Sequence, residues 1–408
     1  MHPRLRPLLC LAACASIPAA AAEPPLSWFK GNTHTHSLWS DGDDFPEMIA
    51  RGYRERGYHF LVLSDHNILS RSERWMKVSA VESRRRGAGS STLARYEETF
   101  GTDWVVRRGE GAEAEVRLRT LEEIRPKLEV PGAFALIEGE EITGAHGENQ
   151  IHINAVNVAE LIKPQRGPNV RDTIRANLAA VREQAERLQR PILAHLNHPN
   201  YRWSITAEDL AHVLELKYFE VYNGHPDVNQ LGDATRPSIE KIWDVANTLR
   251  LALLGGFPLY GIGCDDSHHY HGGSSRPFRG WVMVQAASLR AEDLLPAMDA
   301  GRFYASSGVT FRSVGFDPAT GELSLDIAPD GDAVFTTRIV GTRKGAEKEP
   351  DRIGETLATY TGTLVQHRLA GDEWYARAVV TSSRAHPDPS FEGQLQQAWT
   401  QPVRPTPR

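Results

Sequence analysis

The chain has 408 residues and a net charge of −6, with 24% charged and 40% hydrophobic residues. That composition is globular and long enough for one large domain and a smaller one. It excludes the basic footprint of a nucleic-acid-binding protein, and beyond the N-terminal segment no apolar run is long enough to span a membrane as a helix.

The N-terminal segment reads as a secretory signal over 1–22. Arg4 and Arg6 precede the mainly apolar run Leu8 to Ile17, and Ala20-Ala21-Ala22 before Glu23 suits signal peptidase. The expected location is therefore periplasmic or extracellular. Leu11-Ala12-Ala13-Cys14 offers a second reading, a lipoprotein anchored through Cys14. Cleavage after Ala22 leaves Cys264 as the single thiol, so no intramolecular disulfide can form. No Arg-Arg pair marks twin-arginine export, so the chain is expected to cross unfolded.

The first strand candidate, 28–36, ends on His34 and His36. Residues i and i+2 of a strand share a face, so both imidazoles can approach one metal ion. Asp41 follows in a loop that Gly42 lets turn back. A helix is expected over 45–57, then an apolar strand from Tyr58 to Asn67 that delivers Asp65 and His66. Residues 70–130 read as charged helices and loops without assigned chemistry, with Arg84-Arg85-Arg86 as a solvated face.

Next comes an apolar run, Ala133 to Ile137, leading into Glu138-Gly139-Glu140-Glu141. Glu140 and Glu141 lie on opposite faces of such a strand. A further run, Ile151 to Val158, carries His152 near its start. A helix follows over 170–190, then a strand over 191–199 with His195 and His198 at opposite parity. Tyr218 to His225, a helix over 236–250, and Tyr260 to His269 complete this part. Asp265 and Asp266 raise the same question of parity as the two glutamates. Alternating strands and helices imply a parallel sheet, here closed as a barrel. Every polar cluster sits at a strand C-terminal end, where such barrels place their sites, except His152.

Beyond Ser306-Ser307-Gly308 the pattern changes to short strands, Leu323–Ile327, Val334–Val340, Thr363–Arg368 and Trp374–Thr381, separated by Gly, Asp and Pro. This predicts a small β-sandwich over 308–408, after a barrel domain over 23–307. His367 and His386 read as surface residues, and the Pro-rich tail after Ala398 as loosely held.

The order of the motifs is specific where each motif alone is not. His-x-His with Asp41, then Ser64-Asp65-His66, Gly139-x-Glu141, His152, His198-Pro199 and Asp266-x-His268 resembles the PHP superfamily, named for polymerase and histidinol phosphatase. Leu196-Asn197-His198-Pro199, Glu220-Val221-Tyr222-Asn223-Gly224 and Gly301-Arg302-Phe303-Tyr304-Ala305-Ser306 look like its secreted CehA/McbA-type branch of metallohydrolases. The resemblance implies an α/β fold, a distorted (β/α)7 barrel with a β-rich C-terminal domain, and a centre of two to three divalent ions. It implies that His34, His36 and Asp266 hold one metal. Glu141 would bridge to a second held by His152 and His198, and Asp41, His66 and His268 would hold a third. His34, His36, Asp41, His66, Glu141, Asp266 and His268 would then be the catalytic set.

Such donors suit Zn²⁺, Mn²⁺ or Fe²⁺ and not Ca²⁺. His195, Asn197, Asn223, His225, Asp265 and His269 are expected to touch substrate or support the ligands, and His271 could do so too. Asp65 reads as a hydrogen-bonding strand end and Cys264 as a buried thiol. Arg71, Arg74, Arg202 and Arg276 are candidate cations for substrate, and Trp39, Tyr201, Trp203 and Tyr270 candidate aromatics at the mouth. The expected function is an exported metal-dependent phosphoesterase acting on a small-molecule phosphate ester. The alternatives are hydrolysis of a carbamate, amide or carboxylic ester on the same centre, and a non-catalytic metal- or glycan-binding protein.

Overall fold

A computed structural model of the protein describes residues 25–87 and 89–405, so the signal segment and Cys14 lie outside the described residues. The architecture is mixed α/β around one large sheet. β1 (Ser27–Asn32) and β2 (Phe60–Leu63) are parallel neighbours. The helix between them, Pro46–Glu55, starts on a proline and a glutamate, both favoured in a first turn. It packs Ile49, Ala50 and Tyr53 onto Leu61 and Leu63 of β2.

The segment read as helices and loops holds a small sheet as well. β3 (Arg74–Lys77), β4 (Arg107–Arg108) and β5 (Glu115–Leu118) form an antiparallel three-stranded unit. Val116 and Leu118 of β5 point inward onto Leu38, Trp39 and Phe45. That alternation spans only four residues among charges, too short to read in the sequence.

β6 (Ala135–His146) and β7 (Asn149–Val156) form a hairpin that turns at Gly147, whose φ of 60° favours glycine. β8 (Leu193–Leu196), β9 (Tyr218–Asn223) and β10 (Tyr260–Cys264) follow. β7 is antiparallel to both β6 and β8, while β8, β9 and β10 are parallel. The order β10-β9-β8-β7-β6-β2-β1 is continuous. Just past the ends of β1 and β10 the chain pairs again, Thr35 with Ser267, through His36 N–H to Ser267 O and Asp266 N–H to His34 O, both 3.0 Å. Seven strands thus form a ring. The all-parallel expectation fails at β7, and this reversal accounts for His152. A residue near the start of an antiparallel strand lies at the same end of the ring as the C-terminal ends of its neighbours.

β11 (Trp281–Ala286) pairs with β1, and β12 (Phe303–Ser306) with β11. β13 (Phe311–Asp317), β14 (Glu322–Ile327) and β17 (Leu364–Arg368) make a separate sheet, with β15 (Phe335–Arg343) and β16 (Glu355–Thr361) lying between them in sequence. β18 (Glu373–Ala385) and β19 (Leu395–Thr400) extend the large sheet in the order β12-β19-β18-β15-β16. Phe311, Leu325 and Val365 of the small sheet share one core with Ile339, Ala378 and Val380 of the large one.

The C-terminal tail is not loose up to Val403. Trp399 is buried, the Gln401 amide makes two 2.8 Å hydrogen bonds to the Gly261 backbone, and Val403 pairs with Ala376. The prolines set the sequence reading; the area of Trp399 sets the structure. His386 is likewise no surface residue. It is buried, with Nε2 3.1 Å from the Arg279 carbonyl. His367 is half-buried and its Nδ1 lies 2.9 Å from the Tyr360 hydroxyl.

Candidate metal centre

The loop after His36 is held by Asp65. Its carboxylate accepts from the Ser37 N–H (2.8 Å) and Oγ (2.7 Å), and from the Ser40 N–H (3.0 Å) and Oγ (2.5 Å). Gly42 serves this loop by size: a Cβ there would stand 2.5 Å from the His36 carbonyl oxygen. The turn therefore returns Asp41 towards the histidine it follows.

Nine side chains converge at this end of the ring. The Nε2 atoms of His34 and His36 each lie 3.2 Å from Asp266 Oδ1. Glu141 Oε1 is 2.9 Å from His152 Nδ1 and 3.7 Å from His198 Nε2, while Oε2 is 2.6 Å from His66 Nδ1 and 3.5 Å from His36 Nε2. Asp41 is 3.5 Å from both His66 Nε2 and His268 Nε2. Among the described residues, donor atoms close enough for one ion occur as four sets: His34, His36 and Asp266; His36, Asp41, His66 and His268, which shares His36 with the first; Glu141, His152 and His198; and His34, Glu220 and Cys264, deeper in the fold. Glu141 stands between them, and its neighbour Glu140 faces away, accepting from the Ile162 N–H at 2.7 Å.

The donors fit a cation. His34 Nε2, His36 Nε2, Glu141 Oε2 and both ring nitrogens of His152 are buried without a hydrogen-bond partner. Each such atom costs about 1–3 kcal/mol if left so, and bound ions would take one nitrogen of each ring together with the carboxylate oxygen. Burial alone would raise the carboxyls of Glu141 and Asp266, yet the surrounding imidazoles, His66, His152 and His34 for the first and His34 and His36 for the second, hold both well below the carboxylate range. Burial, with His268 and His66 beside it, pushes His36 down to about 3, which keeps it neutral as a ligand must be. His198 and Asp266 adopt positive φ, 25° and 51°. Such conformations cost of order 1–3 kcal/mol and collect at functional sites.

The supporting shell contains one residue that the motif reading missed as a partner. Glu220 is fully buried; Oε1 lies 2.7 Å from His34 Nδ1, and Oε2 accepts from the His198 N–H and Asn223 Nδ2, both at 2.8 Å. A carboxylate inside the apolar run of β9 was the available signal, since a buried charge needs partners. Asn223 also donates to Asp266 Oδ2 (3.1 Å), and Asn197 donates to Glu141 Oε1 (2.8 Å).

Asp265 accepts five hydrogen bonds, from Asn32, Tyr53 and the amides of Phe278, Arg279 and Gly280, so it anchors the loop leading into β11 and has no lone pair to spare. His195 is buried behind the cluster, 3.5 Å from Glu220 Oε1 and in none of the four sets. Cys264 is a buried free thiol.

A cleft of about 310 Å³ opens onto the cluster, and its walls include Arg86, Tyr201, His225, Asp227 and His269. This corrects several expectations. Of the arginine run read as solvated, Arg86 lines the cleft and Arg84 donates to the Gly42 carbonyl. Of the proposed cations, Arg71 pairs with Glu138, Arg276 with Asp388 and Arg74 lies over Trp39, while Arg202 lies over Tyr201 of the cleft wall. Trp39 is buried, Trp203 lies under Arg236, and the Tyr270 hydroxyl ties down the His36 and Ser267 carbonyls, so Tyr201 is the one candidate aromatic in the cleft wall among the described residues. His271 is buried against Asp44 and Arg95, away from the cleft. Loop residues carry no periodicity, so their facing cannot be read from spacing.

No family model matches the chain, and no curated protein matches it. Solved structures do. One is a two-domain protein of Bacteroides vulgatus described as containing a predicted PHP-like metal-dependent phosphoesterase; it is 15% identical, covers 93% of this chain and 96% of its own, and superposes with a TM-score of 0.41. Another, from Bifidobacterium adolescentis, carries the unproven description of metal-dependent phosphoesterase; it is 13% identical, covers 61% of this chain and 91% of its own, and has a TM-score of 0.32.

Proposed function

We propose that this protein is an exported metal-dependent hydrolase of the PHP type, close to the CehA/McbA branch, and that it cleaves phosphate esters. One observation carries the reading: three adjacent donor sets, two of them sharing His36, with the Glu141 carboxylate within 3.7 Å of His34, His36, His66, His152 and His198, and with buried ligand atoms that no protein group satisfies. The pairing of Thr35 with Ser267 supports reading the ring as a distorted (β/α)7 barrel, and the shared apolar core supports reading the C-terminal strands as a β-sandwich.

His34, His36 and Asp266 would hold one ion, Glu141, His152 and His198 a second, and Asp41, His66 and His268 a third, with zinc, manganese or iron suiting the donors. Such ions supply Lewis acidity towards the scissile group and an acidic water near neutral pH. The chain's residues do the rest. Glu141 and Asp266 bring negative charge between the sets, Glu220 fixes the rings behind them, and the cleft admits a small molecule. The 310 Å³ space is at the small end for a ligand site.

The test is a pair of initial rates on the metal-reconstituted protein. We expect turnover of p-nitrophenyl phosphate or bis-p-nitrophenyl phosphate, and Asp41→Ala to reduce it far more than any turnover of p-nitrophenyl acetate or an aryl N-methylcarbamate. Ready cleavage of the carbonyl substrates with every phosphate ester untouched would replace the phosphoesterase reading with the carbamate or ester one. Export is tested by mass spectrometry of protein from its native host. A mature chain starting near Glu23 is expected, and an acylated Cys14 would make it a tethered lipoprotein instead.

A further inference from the structure

The histidines of this end of the ring fall into two groups by what their Nδ1 atoms face. In the metal cluster the Nδ1 atoms of His34 and His268 face acceptors. His34 Nδ1 lies 2.7 Å from the Glu220 carboxylate, and His268 Nδ1 lies 3.0 Å from the Asp266 carbonyl. An acceptor there places the proton on Nδ1 and leaves the Nε2 lone pair for a metal.

His225 and His269 show the reverse. His225 Nδ1 accepts from the Asp227 N–H at 3.2 Å, and His269 Nδ1 accepts from the N–H groups of Ser274 (3.3 Å) and Ser275 (3.2 Å). A backbone amide can only donate, so a neutral ring held this way carries its proton on Nε2. An Nε2–H cannot ligate a metal; it is a hydrogen-bond donor. Both rings line the cleft, and among the described residues neither Nε2 has a protein acceptor. The His269 loop is built for this placement: a Cβ on Gly273, at φ 95°, would stand 2.8 Å from the His269 ring. Arg86 lines the same cleft, and among the described residues no carboxylate pairs with it.

We infer that His225, His269 and Arg86 are substrate-binding residues whose N–H groups take the non-bridging oxygens of a phosphomonoester. This rests on the metallohydrolase reading above. The number of donors selects the class. A carbamate or ester carbonyl presents one oxygen to be polarised, which the metal centre can serve alone. A terminal phosphoryl group presents three, and charge develops across them in the transition state. Asp227, on the same wall, disfavours a second anionic group on that side of the substrate and suits a hydroxyl or amine there.

The experiment uses inorganic phosphate as the probe, with the metal-loaded protein. We expect His225→Phe, His269→Phe and Arg86→Ala each to weaken phosphate binding, read by calorimetry and by competitive inhibition, by about tenfold, with metal content by elemental analysis unchanged. His225→Gln and His269→Gln, which keep an N–H donor, should retain more of the affinity. Loss of metal from either Phe variant would make that histidine a ligand and overturn the assignment, as would phosphate binding within twofold of wild type in all three variants. A second readout does not depend on the variants. ¹⁵N spectra of histidine-labelled protein should show Nδ1 unprotonated in His225 and His269, and a protonated Nδ1 would overturn the proposal. If the wild type cleaves phosphate esters and the variants bind phosphate normally, this inference fails alone; if the wild type cleaves only carbonyl substrates, the phosphoesterase reading fails.

Discussion

At the scale of single residues, Glu220 is the side chain on which most of the ligand geometry depends. It reaches His34 directly, His198 through the backbone and Asp266 through Asn223. Removing such an orienting carboxylate costs roughly 10–100-fold in metal affinity. Glu220→Gln should therefore bind metal that much more weakly in a chelator competition while the metal-free protein keeps its circular dichroism spectrum. Unchanged metal affinity would show that the contact is only packing. The clustered donors stand out in the sequence because polar residues close apolar runs, and the order of the motifs favours Glu141 over Glu140. Glu220 was harder to read because it lies inside a strand and touches its partners across the ring. Around the cleft, His225 and His269 are legible as residues near strand ends, whereas Arg86 reads as solvated surface and Arg71, Arg74, Arg202 and Arg276 as cleft cations. Charge in a sequence says nothing about which carboxylate is nearby.

At the scale of elements, the reversal of β7 explains the one motif that broke the pattern. His152 looked misplaced only under the assumption that every strand runs the same way. The hairpin turn, Gly147, was the available clue. The insertion between β2 and β6 is fastened to the helix Pro46–Glu55 by Glu47. Its Oε1 accepts from Trp104 Nε1 at 3.0 Å and from the Tyr96 hydroxyl. Burial pushes the Glu47 carboxyl up to about 7, against hydrogen bonds that pull it down. A group whose pKa is higher folded than unfolded stabilises the fold at low pH, and that contribution fades as pH rises from its unfolded value of 4.5 through about 7. The melting temperature of wild type should therefore fall relative to that of Glu47→Gln between pH 5 and pH 8. Parallel pH profiles would show that Glu47 is ionised throughout.

At the scale of the whole molecule, the two regions expected to be separate share a sheet and a core. Trp399 of β19 belongs to the same apolar cluster as Phe219 and Trp243, stacks on Tyr222 with ring centres 5.7 Å apart, and donates to Glu240 at 3.0 Å. Tyr222 lies on β9, two residues from Glu220. Trp399→Ala should cost about 3–5 kcal/mol in urea unfolding, with one transition and not two, and should weaken metal binding as well. Two separated transitions would show that the regions fold independently. The short C-terminal strands were legible as β structure from their turns, but not their continuity with the ring. Pairing between β12 and β19 joins residues far apart in sequence, and strand spacing carries no record of it.

The position of β19 also sets an order of events. It is the described strand nearest the C-terminus, yet it lies between β12 and β18, so the sheet stays open along that seam until this segment has been made. During synthesis most of the ring emerges without the strand that covers its flank. The seven strands of the ring are all made before β19, but the apolar flank that Trp399 covers is completed only once that strand has been added.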